Sequence, residues 1–250
     1  MIVGESIVQK NVLITGAGRR VGAACARLLH DEGYNILVHY RNSKDDAYSL
    51  TEKLNKKRSG SAKIIQADLL DIQALQKVAD AAIAAWGGVD VLLNNASSFY
   101  PTPMNKVTEQ QWDELLGSNL KAPFFLAKFL MPTLKQRNGC IINITDIHAE
   151  RGLESFPVYS IAKAGLSAMT KILAKELAPQ IRVNAVAPGA ILWPEDDFSE
   201  AEKAIILERI ALQRKGEIHD IAKTVRFLVQ DADYITGQII SVDGGRTLFC

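Results

Sequence analysis

The chain has 250 residues, 48% of them hydrophobic and 23% charged, with a formal net charge of +1. That length suits one large α/β domain spanning 1–250, able to bury about three-quarters of its unfolded surface. The near-zero charge gives no reason to expect nucleic acid or an anionic membrane as partner. Met1 to Lys10 show no basic segment leading into a long apolar run, and no stretch reaches the roughly 20 apolar residues of a membrane span. A cytoplasmic protein is the expectation. Cys25, Cys140 and Cys250 are odd in number and widely spaced, so neither a disulfide framework nor a metal site is expected.

Short apolar runs alternate with amphipathic segments. Val12-Leu13-Ile14 reads as a buried strand, followed by Val21, Cys25, Leu28 and Leu29 at helical spacing. Ile36 to Val38 and Ile64-Ile65 are the next strands. Ile72, Leu75, Val78, Ile83 and Trp86 mark a helix that Gly87-Gly88 ends. Val89 to Leu93 is a fourth strand. Thr108 with Gln111 forms a capping box before a long helix through Leu134. Ile141 to Ile144 is a strand, Pro157 to Leu177 a helix and Ile181 to Val186 a strand. Ser199 with Glu202 caps a further helix; another spans Glu217 to Val229, and Ile239 to Val242 is the last strand. The pattern predicts a doubly wound, Rossmann-type α/β domain with a mostly parallel seven-stranded sheet covered by helices on both faces.

The first strand runs into Thr15-Gly16-Ala17-Gly18-Arg19-Arg20-Val21-Gly22. Glycines at such a turn let the backbone approach a pyrophosphate, whose charge the helix N-terminus favours. The alternative is a tight turn without a ligand. The second strand ends in His39-Tyr40-Arg41-Asn42-Ser43, with no acid before Asp45. An acid there would accept from a ribose 2′-hydroxyl and repel a 2′-phosphate. A guanidinium and small polar donors bind the phosphate, so NADPH is the expected cofactor, with Arg41 and Ser43 as contacts. The bland reading of Arg41 is a solvated loop arginine.

Tyr159 and Lys163 stand one helical turn apart on one face. A nearby cation is expected to lower the phenol pKa from about 10 toward neutrality, which suits proton exchange.

TGxxxxxG at the first turn, Asn94-Asn95-Ala96 after strand four, Asn119, YxxxK and Pro188-Gly189 together resemble the short-chain dehydrogenase/reductase family over essentially the whole chain. The resemblance implies that Tyr159 donates a proton, Lys163 binds the nicotinamide ribose and Asn119 holds a water in the relay. It places Asp68 against the adenine. Gly16, Arg20, Val21, His39, Tyr40, Asn42, Leu69, Asn95, Ala96, Ser97, Thr145, Pro188 and Gly189 complete the expected cofactor contacts. It also implies a homotetramer.

Two departures narrow the resemblance. Asp146 stands thirteen residues before Tyr159, where the family usually has Ser for a carbonyl oxygen. A carboxylate suits ring nitrogens and N–H donors instead. Arg20 replaces the turn's middle glycine. Both are features of the pteridine reductase branch, which the segment Asn95 to Pro103 also resembles. By that resemblance Phe99 stacks on a flat pterin, while Ser97 and Arg20 supply polar contacts; an aromatic face is a suitable support for such a ring. The bland readings are a capping role for Asp146 and simple packing for Phe99. The lid is expected over about 188–212, with Trp193 lining the pocket or anchoring the loop.

The expected reaction is NADPH-dependent reduction of a C=N bond in a pterin or folate by Asp146, Tyr159 and Lys163. The rivals are a carbonyl reductase acting on 3-oxoacyl thioesters and a cofactor-binding sensor or scaffold without turnover. The carbonyl reading needs a hydroxyl donor at Asp146's position; Thr145 stands beside it.

Overall fold

The central strands are short and buried along their whole length, which requires cover on both faces. The computed structural model describes residues 9–191 and 199–249. Its strands are β1 (Asn11–Ile14), β2 (Asn35–Tyr40), β3 (Ala62–Gln66), β4 (Val91–Asn94), β5 (Cys140–Ile144), β6 (Arg182–Pro188) and β7 (Ile239–Val242). They form one sheet in the order β3-β2-β1-β4-β5-β6-β7, and every neighbouring pair is parallel.

The helices are α1 (Arg20–Asp31), α2 (Lys44–Lys57), α3 (Ile72–Trp86), α4 (Glu109–Leu116), α5 (Ala122–Gln136), α6 (Pro157–Glu176), α7 (Glu200–Glu208) and α8 (Ile218–Gln230). Alternation along β1 feeds two separate cores. Val12 and Ile14 pack with α1, α2 and α8, whereas Leu13 packs on the opposite face with α3, α5 and α6. Cys25 and Cys140 are buried thiols within this packing. The strand order reverses between β1 and β4, so their carboxyl ends open a crevice of the kind in which such sheets bind ligands.

The helix expected from Thr108 to Leu134 is divided. Its capping box forms as read, with Thr108 N donating to Gln111 Oε1 at 3.0 Å and Gln111 N to Thr108 Oγ1 at 3.3 Å. A π-helical turn over Gly117–Lys121 then separates α4 from α5. Asn119 Nδ2 donates to the Leu115 carbonyl at 3.0 Å, competing for the acceptor that a regular helix would give to the Asn119 amide. Ser199 and Glu202 also form their capping box before α7. The fourth strand begins at Val91, two residues later than read, because the Val89 amide donates to Thr133 Oγ1 at 3.0 Å. Among the described residues no helix is long and apolar enough to cross a membrane, and no group of acids, histidines and cysteines could hold a metal.

Candidate active site

The turn from β1 into α1 is built by close approach of backbone. Gly16 has φ +62°, and a Cβ on it would lie 2.9 Å from Ala96 Cα. A Cβ on Gly18 would lie 2.5 Å from Ser43 Oγ. Only glycine satisfies both the dihedral and the space at Gly16. The end of β4 locks onto this turn: Asn95 N and Ala96 N donate to Thr15 Oγ1 at 2.9 and 3.0 Å. Asn95 Nδ2 donates to the carbonyls of Thr15 and Gly16 at 2.9 and 3.0 Å. His39 ties in the end of β2. Its Nδ1 accepts from Gly16 N at 3.1 Å, and Nε2 donates to the Ala67 carbonyl at 3.1 Å. That pairing requires the neutral ring, and burial pushes its pKa down to about 4. Backbone amides at a helix N-terminus with no side chain in the way fit a pyrophosphate. Arg20 adopts φ +50° at the first position of α1, a conformation in which glycine would be unstrained, and is exposed.

A cleft of about 650 Å³ runs along the carboxyl ends of the strands. It brings together Gly16, Arg20, Val21, His39, Arg41, Asn42, Ser43, Asp68 and Leu69 on one side. Asn95, Ala96, Ser97, Phe99, Thr145, Asp146, Tyr159, Lys163 and Pro188 line the other. An adjoining cavity of about 590 Å³ shares Arg41, Asn42 and Asp68 and adds Glu114.

Three of the expected site residues do not line this cleft, and the position of each explains it. Tyr40 alternates with His39 along β2 and so faces the core, where it is 4% exposed. Gly189 packs against β7's end, where a Cβ would lie 2.6 Å from Asp243 Cβ. Asn119 is fully buried behind the cleft wall, its Nδ2 donating to the Ser98 carbonyl at 2.9 Å and its Oδ1 accepting from Ser97 Oγ at 2.6 Å. Trp193, with residues 192–198 of the expected lid, lies outside the described residues.

Tyr159, Asp146 and Lys163 meet where β5 leads toward α6. Tyr159 OH donates to Asp146 Oδ2 at 2.7 Å. Asp146 Oδ1 accepts from His148 N at 2.8 Å, so the residue caps a short turn and holds the phenol at once. The capping reading of Asp146 therefore holds, and the same carboxylate reaches the phenol. Lys163 is 2% exposed, donates from Nζ to the Ile144 carbonyl at 2.9 Å and lies 5.6 Å from the Tyr159 ring centroid. The expected lowering of the Tyr159 pKa is reversed: burial and the Asp146 carboxylate raise it well above the usual value for a phenol. Lys163 is pulled down to about 8 by burial, with Asp146 opposing. A phenol that stays protonated, aimed at a carboxylate, is arranged to hold and deliver a proton.

Phe99 is 54% exposed in the cleft wall. Phe156 covers one of its faces at 4.5 Å and 10°, and Tyr159 meets it edgewise at 4.8 Å and 77°. The sequence motifs do not single out Phe156, Glu114 or the Ile144 carbonyl. Phe156 stands three residues before Tyr159, a spacing that could have flagged it; the other two carry no local signal. Thr145 Oγ1 donates to the Val186 carbonyl at 3.1 Å, and the residue is 2% exposed, so it supplies no donor beside Tyr159.

Residues 16–247 match the family described as enoyl-(acyl carrier protein) reductase. The chain is 40% identical over 242 residues to 3-oxoacyl-(acyl-carrier-protein) reductase FabG of Staphylococcus epidermidis, covering 95% of this chain and 99% of the other. It is 34% identical over 276 residues to pteridine reductase 1 of Leishmania tarentolae, covering 94% and 96%. It is also 34% identical over 252 residues to 3beta-hydroxysteroid dehydrogenase 1 of Eggerthella lenta, covering 98% and 96%. With the sheet order, the turn and the Tyr159/Lys163 pair on the same cleft, the chain is an oxidoreductase that belongs to the short-chain dehydrogenase/reductase family, whose members use a nicotinamide cofactor.

Proposed function

We propose that the protein is an NADPH-dependent reductase of pterins, of the dihydrobiopterin, dihydromonapterin or dihydrofolate type. The observation that carries this reading is the 2.7 Å hydrogen bond from Tyr159 OH to Asp146 Oδ2. A ketone oxygen gains from neutral donors on two sides, and a carboxylate in place of one of them repels it. A pterin presents N–H groups that a carboxylate accepts and a ring nitrogen that must gain a proton. NADPH bound in the cleft would supply hydride to the ring carbon of a C=N bond. Tyr159 then gives its proton to the adjacent nitrogen, and the Asp146 carboxylate relays a replacement proton to the phenol from solvent. Lys163, buried against both, favours the charge distribution of that transfer. Arg41 and Ser43 would hold the 2′-phosphate, and the exposed half of Phe99 would support the flat ring.

A second reading is a 3-oxoacyl thioester reductase. The comparisons favour it over the pterin reading, since relatives of that name reach 40% identity against 34% for the pteridine reductase. It lacks the hydroxyl donor at Asp146, and Thr145 does not replace it. NADPH oxidation measured with dihydrobiopterin, dihydrofolate and acetoacetyl-acyl carrier protein side by side separates the readings. Turnover of the pterins alone supports the first, and turnover of the thioester alone overturns it. NADPH binding without turnover of any of them supports the sensor or scaffold. A cytoplasmic homotetramer belongs to the same proposal; the exposed Phe124 on α5 and Ile172 on α6 give a face that a second copy would bury.

A further inference from the structure

The end of β2 carries no acid, but the fold brings one to it from another helix. Glu114, in the last turn of α4, has Oε1 4.0 Å from Arg41 Nη1. Two hydroxyls hold the carboxylate: Ser98 Oγ donates to Oε1 at 3.3 Å, and Tyr100 OH donates to Oε2 at 3.2 Å. Both are neutral donors, so they orient the charge without cancelling it. The Arg41 carbonyl is held in turn by Gln66 Nε2 at 3.1 Å. Arg41 and Glu114 line the same cavity together with Asn42 and Asp68.

We propose that Glu114 is a cofactor-selectivity residue, whose carboxylate engages the Arg41 guanidinium and so weakens the preference for NADPH over NADH. The proposal rests on the reading of Arg41 as the 2′-phosphate contact. A phosphate entering beside an ionised carboxylate meets a like charge and must share one guanidinium with it. A ribose that keeps its 2′-hydroxyl brings no charge and can donate to a carboxylate. The β2-end rule is thus met by an acid that lies far along the chain, at position 114.

Equilibrium binding of NADPH and NADH to the full chain tests this, with Glu114→Gln, Arg41→Ala and Tyr100→Phe beside the wild type. Glu114→Gln removes the charge and keeps the shape: its amide oxygen accepts from one of the two hydroxyls, and its NH2 donates to the oxygen of the other. It should tighten NADPH about threefold to fivefold, the worth of a partly exposed ion pair, and leave NADH unchanged or weaker. Tyr100→Phe loosens the tether without removing the charge and should leave the NADPH-to-NADH ratio at the wild-type value. An unchanged ratio in Glu114→Gln overturns the proposal, as does a Tyr100→Phe shift of the same size. Arg41→Ala should weaken NADPH about tenfold, as loss of a charge-assisted contact does. If it leaves NADPH affinity intact, the Arg41 reading falls and the proposal with it. If NADPH weakens in Arg41→Ala while Glu114→Gln matches wild type, the proposal alone falls.

Discussion

Tyr159 donates to Asp146 at 2.7 Å while the other oxygen of the same carboxylate caps the turn at His148. One side chain therefore fixes both the phenol and the loop that follows β5. Replacing Asp146 tests chemistry and architecture at different readouts. Asp146→Ser should lower pterin reduction by about a hundredfold or more, the usual worth of a proton-transfer partner, with NADPH affinity unchanged. Steady-state kinetics beside cofactor titration checks it. Unchanged pterin turnover would refute the role given to Asp146, and a large gain in thioester reduction would show how little separates the two site types.

Phe99 has one face on Phe156, lines the cleft and is more than half exposed. Phe99→Ala should raise the substrate KM about tenfold through lost stacking while kcat changes less. Because Tyr159 touches the same ring, kcat measured at saturating substrate separates lost support from a displaced phenol.

His39 is neutral in the fold, with a pKa near 4 against an ordinary 6.5. Between those values the unfolded chain binds the proton and the folded chain does not, so stability falls as pH falls from 6.5 toward 4. The loss attributable to this group is on the order of 3 kcal/mol. Protonation also removes the acceptor for Gly16 N–H, so cofactor affinity should fall over the same window. His39→Asn keeps an acceptor near the Nδ1 position and does not titrate. Denaturant unfolding across this range should show a flatter profile for the variant; parallel profiles would exclude His39 as the source.

Gly16→Ala forces a side chain into φ +62° and to within 2.9 Å of Ala96 Cα. A strained position of this kind costs about 1–3 kcal/mol. The variant should melt earlier and bind either nicotinamide cofactor more weakly, by thermal unfolding and cofactor titration. Normal cofactor affinity would mean that the turn does not approach the pyrophosphate.

Periodicity and local turn chemistry make the architecture legible in the amino-acid sequence alone. Apolar runs at Val12, Ile36, Val91 and Ile141 place the strands, because a strand covered on both faces admits no polar alternation. Capping boxes at Thr108 and Ser199 depend only on residues three apart, and both form. The same holds for Tyr159 and Lys163, which one helical turn places on one face. What depends on residues distant in the chain was decided by tertiary structure. The Tyr159 pKa direction follows from burial and from how Asp146 points, not from spacing to a lysine. The π turn before α5 follows from Asn119 taking a carbonyl that helix propensity would assign to the backbone. Tyr40 and Gly189 are in the right stretches of chain but face the core and β7. Glu114 reaches Arg41 only because the crevice at the carboxyl ends of the strands gathers loops from both halves of the sheet. Local sequence sets which elements form, since those energies act between residues a few positions apart; charge balance in the site is a sum over groups that only the folded chain brings within a few ångströms.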